Sequence, residues 1–364
     1  MGTGYNVISA DSHVFEPDLW VDRIEPRFRD RAPRFVHQGG EELFVVEGLP
    51  TRNLMSLGMA GRPYDEDPRK AQRQDVRSGG WDPVQRLKDM ALDGVDAEVL
   101  YPSVCLFMWQ VPDVPYQNAC LRAYNDWLAE YCSAAPERLA GIGLLNLEDI
   151  EAGVAELQRV AKIGLRGVAI SVFPRTHQDF GDPFYDPFWF TAQDLGIPVS
   201  LHTSTAGSAD RPTRYWLPRF IAERQYQIQL ALGVLIESGV LERYPGLKVV
   251  SAENHIGWVG TFVKLIDQVY VRRRYGTELL GKLKLFPSEY FHRQVLCTFI
   301  EDPEGIAIRH RIGVDNIMWS SDYPHTDSTW PHSQKAIAEH FVGVPEGERR
   351  KMVCDNAARL YRFA

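Results

Sequence analysis

Asp194-Leu195-Gly196-Ile197-Pro198-Val199-Ser200-Leu201-His202 reads as the last turn of a helix, a glycine past its end, a proline opening a strand, and a short apolar strand that closes on a histidine. Glycine accepts the left-handed conformation that ends many helices, and proline is tolerated at the first position of a strand. The same unit recurs outward in both directions. Short apolar runs at 7–10, 97–101, 140–144, 167–171, 198–202, 248–252, 295–298 and 317–320 alternate with segments of helical period at 83–92, 117–134, 150–163, 187–195, 217–238 and 331–340. Parallel strands buried on both faces read as continuously hydrophobic, and eight of them with helices between predict an α/β fold, a (β/α)8 TIM barrel, with 1–364 as one domain.

Residues 16–80 break the rhythm, being rich in Arg, Asp, Gly and Pro, with a hairpin or excursion expected near 42–47. This stretch reads as an insertion after the first strand, lying over the barrel mouth. Long connections in compact domains are more often functional than idle.

With 45% hydrophobic and 24% charged residues the composition is that of an ordinary globular protein. A formal charge of −8 argues against a nucleic-acid or anionic-membrane surface, which would need an excess of Lys and Arg. The expected partner is a small molecule. Arg272-Arg273-Arg274 falls at the end of a helical segment, where cations suit the macrodipole and are solvated. Five cysteines, an odd number without CxxC spacing, and an opening without a signal-like segment lead us to expect reduced, mostly buried thiols in a cytoplasmic protein. No apolar run approaches the roughly 20 residues of a membrane span.

Three strand ends carry chemistry-bearing residues: Asp11-Ser12-His13 after the first, His202 closing the fifth, and Asp322 after the eighth. Positions i and i+2 of a strand face one side, so Asp11 and His13 can converge on one ion. Each residue alone has an ordinary explanation, as a turn former, a satisfied core histidine or a cap. Their coincidence at the C-terminal ends of one barrel, where active sites of this architecture gather, favours a mixed imidazole and carboxylate site for Zn2+ or Mn2+.

The chain resembles the amidohydrolase-related group that includes aminocarboxymuconate-semialdehyde decarboxylase, resorcylate and carboxyvanillate decarboxylases, and related hydrolases and hydratases. The resemblance rests on Ile8-Ser9-Ala10-Asp11-Ser12-His13, on Arg86-Leu87-Lys88-Asp89-Met90-Ala91-Leu92-Asp93-Gly94-Val95-Asp96 and on Leu100-Tyr101-Pro102-Ser103. Further matches are Pro198–His202, Trp319-Ser320-Ser321-Asp322-Tyr323-Pro324-His325 and Asn356-Ala357-Ala358-Arg359-Leu360-Tyr361. It implies that Asp11, His13, His202 and Asp322 are metal ligands. Binuclear members carry a carboxylated Lys at the end of strand four; Gly167-Val168-Ala169-Ile170-Ser171 has none, so a single divalent ion is expected, Zn2+ first and Mn2+ as the alternative. The decarboxylases place a catalytic His directly after strand six, where this chain has Glu253, with His255 two residues on. Either could move a proton, the imidazole at cellular pH and a buried carboxyl by a raised pKa.

His325 is a candidate to reach substrate or to orient Asp322. Phe107, Trp109, Tyr215, Trp216, Phe299 and Trp330 lie near strand ends or mouth loops and suit a flat ligand, although most barrel aromatics serve packing. Arg175, after strand four, could hold a substrate carboxylate. Two enzyme readings follow for a small aromatic, carbocyclic or carboxylated substrate: decarboxylation, slightly favoured, with Asp322 or His255 protonating the carbon that loses its carboxylate, or metal-assisted hydrolysis of an amide, lactone or ring ketone, with Asp322 taking the proton of the attacking water and Glu253 or His255 serving the leaving group. A non-catalytic ligand-binding barrel is the reading of another class. A homodimer or higher homo-oligomer is expected by frequency.

Overall fold

Gly196, at φ +60°, caps the helix Asp186–Leu195, and after Pro198 the chain enters a strand at Val199, as the opening stretch predicts. The structure, a computed structural model, describes residues 4–62, 70–175, 179–205, 217, 221, 224–276 and 282–363. Strand β1 is Ile8–His13; β2 (Arg34–Gln38) and β3 (Glu41–Val45) form an antiparallel hairpin; β4 to β10 are Ala97–Tyr101, Leu139–Leu144, Gly167–Ile170, Val199–His202, Val249–Ala252, Val295–Phe299 and Ile317–Trp319. Eight of these are parallel and pair in the order β1-β4-β5-β6-β7-β8-β9-β10, a (β/α)8 barrel. The remaining seam, between β10 and β1, is bridged just past the strand. Asp322 N–H donates to Asp11 O at 3.0 Å and His13 N–H to Tyr323 O at 2.6 Å.

The barrel strands lie within one residue of their expected ends, except that β1 runs on to His13. A register shift between Ser9 and Ser12 marks a bulge there. The Ser12 hydroxyl donates to Ser9 Oγ at 2.8 Å across it. Helices between the strands start on aspartates: Asp82, Asp113 and Asp149 accept backbone N–H groups of Pro83–Asp93, Val114–Cys132 and Ile150–Lys162, each satisfying donors that a helix start leaves open. The helix expected at 217–238 is described as Arg224–Glu237, and that at 331–340 begins at Ser333.

Within the excursion after β1, Gly39 and Gly40 have φ +64° and +84°, the two positive values that a two-residue hairpin turn requires. The excursion reaches the end of the barrel that carries the site: Ala60 N–H donates to Pro324 O at 2.9 Å and Thr326 Oγ1 to Ser56 O at 2.6 Å. All five cysteines are buried, and none of them forms a disulfide. Among the described residues no helix is long and apolar enough to cross a membrane.

Candidate metal centre

Asp11 and His13 lie in β1, His202 closes β7, Glu253 follows β8 and Asp322 follows β10, all at the C-terminal end of the barrel. His13 Nε2 is 3.6 Å from Asp11 Oδ1 and 3.2 Å from Asp322 Oδ1. His202 Nε2 is likewise 3.6 Å from Asp11 Oδ1. These four atoms, Asp11 Oδ1, His13 Nε2, His202 Nε2 and Asp322 Oδ1, are buried and make no hydrogen bond among the described residues. Buried polar atoms are nearly always paired, so four orphans facing one another fit a cation.

The opposite edges of the same side chains are fixed. His13 Nδ1 lies 2.6 Å from Pro102 O and His202 Nδ1 2.9 Å from Thr203 O. A carbonyl only accepts, so each Nδ1 carries a proton, and Nε2, facing the centre, is the nitrogen left to bind a cation. Asp11 Oδ2 accepts from Thr298 Oγ1 at 2.8 Å, and that hydroxyl oxygen accepts the Glu253 N–H at 2.8 Å. Groups that orient ligands in this way tune affinity by about 10–100-fold, so Thr298→Val is expected to weaken metal binding by that factor, measured by competition with a chelating dye.

Three carboxylates, Asp11, Asp322 and Glu253, crowd the two imidazoles. Glu253 Oε2 is 3.4 Å from His202 Nε2 and 3.8 Å from His13 Nε2. Burial lowers the His13 pKa, with the positive field of His325 adding to it. Burial also opposes charge on His202, but Asp11 and Glu253 outweigh it and raise the imidazole to about 9. Glu253 is pushed up by burial and by the charge of Asp322, whereas Asp322 is held low, against its burial, by His325 and His13. His325 stacks on His13 with ring centroids 3.9 Å apart, sets Nδ1 3.2 Å from Asp322 Oδ1, and joins Ser103 Oγ through Nε2 at 2.8 Å. Its pKa rises, burial notwithstanding, because of Asp322.

Of the two candidates after β8, the structure brings in Glu253 and leaves His255 exposed and outside the cluster. Glu253 and His255 have φ +56° and +57°, so the chain turns twice through the left-handed region and the strand's alternation does not extend to His255. Ser204 and Asp322 also have positive φ, giving four strained residues at one end of the barrel.

Arg175 and Trp109 are held by bonds to the scaffold and are not among the clustered metal-ligating groups. The Arg175 guanidinium donates to Val111 O, and the indole N–H of buried Trp109 to Leu145 O at 2.9 Å. Both satisfy carbonyls that the turns after β4 and β5 leave open. Phe107 lies under Arg52, Phe299 packs on Phe341 and Trp330 on Tyr323, while Tyr215 and Trp216 fall outside the described residues.

Sequence reasoning passed over three residues. Thr298 is the one hydroxyl in the run Val295-Leu296-Cys297-Thr298-Phe299, one place from the end of β9, and that position was its signal. Arg86, wholly buried, donates to Glu98 through Nε and to His13 O at 2.7 Å through Nη1, with Tyr323 O 3.5 Å from Nη2. Glu98 in turn accepts from Ser12 Oγ at 3.2 Å. Arg224 places Nη1 3.6 Å from Glu253 Oε1 and donates to Ser204 Oγ at 3.0 Å, a contact no local pattern announces.

Paired imidazoles and carboxylates at the mouth of a (β/α)8 barrel define a class of enzymes that work through a bound divalent ion. The chain belongs to the amidohydrolase family, whose sequence profile matches residues 11–363. It is 28% identical over 255 residues to 2-amino-3-carboxymuconate-6-semialdehyde decarboxylase of Dictyostelium discoideum, covering 69% of each chain. Among solved structures, an amidohydrolase from Mycobacterium avium subsp. paratuberculosis superposes with a TM-score of 0.81 at 22% identity, covering 99% of this chain and 100% of that one. A dihydroxybenzoic acid decarboxylase from a Polaromonas species, solved with manganese and 2-nitroresorcinol, gives 0.65 at 20% identity, covering 98% and 97%.

Proposed function

We propose that this protein is a metal-dependent decarboxylase acting on a small aromatic or unsaturated carboxylate. The carrying observation is the convergence of Asp11, His13, His202 and Asp322 through four buried, unpaired atoms. These residues would hold one divalent ion. Two imidazoles with two carboxylates suit Mn2+ or Zn2+, and manganese in the Polaromonas decarboxylase favours Mn2+. When bound, the ion supplies Lewis-acid polarisation of a substrate oxygen.

Glu253, 17% exposed against 3% for Asp322, has the more accessible carboxyl of the two. It would hand its proton to the carbon bearing the carboxylate. The bond to that carboxylate then breaks, its electron pair returns to the ring, CO2 departs, and Glu253 regains a proton from solvent. Glu253→Gln is therefore expected to lower kcat by about 10²-fold or more with metal content unchanged, whereas exposed His255→Ala stays within about twofold.

Glu253 also favours a second reading, since a carboxylate stands where the resembled decarboxylases have an imidazole and could take a proton from attacking water. Metal-loaded enzyme incubated with 2,6-dihydroxybenzoate, other aromatic acids, and panels of cyclic amides and lactones separates the two. Release of one CO2 per product formed is expected, and ring opening without CO2 would overturn the decarboxylase assignment. We further propose a homodimer, supported by exposed Tyr226 and Leu230 on Arg224–Glu237 and Leu265 and Val269 on Val259–Arg273. Light scattering tests it.

A further inference from the structure

The face of the barrel opposite the metal centre holds a second hollow, a cavity of about 570 Å³ within the range of small-molecule sites. Pro198 and Lys248, which line it, immediately precede β7 and β8, while His202 and Glu253 stand at the other ends of those strands. A four-residue strand separates the two sites by about 13 Å.

Four cations line this cavity: Lys248, Arg293, Arg359 and Arg362. Their hydrogen-bond acceptors among the described residues are all neutral. Lys248 Nζ donates to Arg293 O at 2.6 Å and Arg359 Nη2 to Asn356 Oδ1 at 3.1 Å. Arg293 donates to Gln294 Oε1 and Leu241 O, and Arg362 to Leu195 O and Gly196 O. The one lining carboxylate, Asp315, is already engaged by Lys351 Nζ at 2.8 Å. Burial, then the fields of Arg359 and Arg293, lower the Lys248 pKa. In a chain of net charge −8, four cations around one hollow without carboxylate partners concentrate a positive field where the rest of the molecule is negative.

We infer that this cavity is a binding site for a small organic polyanion, with phosphate or carboxylate groups on the four cations and an apolar side against Pro198 and Leu296. The site is separate from the decarboxylation centre, and its occupancy does not depend on that reading.

The test is calorimetric titration of metal-loaded enzyme at fixed ionic strength with inorganic phosphate and, separately, with tricarballylate. Saturable one-to-one binding of either probe is expected, the stronger one naming the charged group that the site prefers. Arg359 is exposed and its replacement leaves the core untouched. Arg359→Glu should weaken binding at least tenfold, while Lys162→Glu, the same charge change on a distant exposed helix end, should leave it within twofold. Binding that survives Arg359→Glu would place the anion at the metal centre, and equal loss in Lys162→Glu would reduce the effect to net charge. Either result, or the absence of saturable binding of both probes, overturns the proposal.

Discussion

His202→Ala is expected to abolish stoichiometric metal and to lower kcat/KM by at least about 10³-fold, ~4 kcal/mol of transition-state stabilisation. The side chain is fully buried at the last position of β7, its Nδ1 is committed to Thr203 O, and its Nε2 has no partner but the centre. Alanine therefore removes one ligand without freeing a donor for another to use. Because His202 sits beside Asp11 and Glu253, its loss also leaves two carboxylates facing each other with less compensation. Elemental analysis and steady-state kinetics on the same preparation decide the matter. A variant with full metal content and near-normal turnover would remove His202 from the centre.

The second large effect concerns a residue that never meets the substrate. Arg86→Met should destabilise the fold by about 3–5 kcal/mol, because it strands Glu98 in the interior without its cation. Burial opposes charge on Arg86, yet Glu98 more than compensates and keeps the guanidinium firmly protonated. The same guanidinium accepts no role that lysine could fill, since its fork spans Glu98 and the His13 carbonyl together. Urea unfolding of Arg86→Met, Glu98→Gln and the double variant measures the coupling. The double variant should lose less than the sum of the singles, and strict additivity would show that the two side chains do not act as a pair.

Much of the barrel was legible because parallel strands covered on both faces are nearly continuous apolar runs, and runs such as Val249–Ala252 admit few other readings. Asp11, His13, His202 and Asp322 were legible for a related reason: polar residues at the ends of such runs are conspicuous. What could not be read was decided by backbone geometry over one or two residues. Sequence spacing left Glu253 and His255 as equals, and two left-handed turns separated them. The bulge in β1 was equally silent, since Ser9 and Ser12 announce no register shift by themselves. Arg175 and Trp109 were chosen by proximity to strand ends, and the bonds they make to the carbonyls of Val111 and Leu145 could not be read from that position.

The bonds across the seam between β10 and β1 join the two extremes of the fold, with Ser321 N–H reaching Ser9 Oγ from 312 positions away. Ligands from both margins must therefore meet before the centre exists. During synthesis the first ligands emerge long before the last, and at a translation rate of roughly 5–20 residues per second they wait many seconds for Asp322. An ion held by Asp11, His13, His202 and Asp322 would therefore load only after synthesis has passed Asp322, and would act as a clasp between an early-made and a late-made part of the polypeptide.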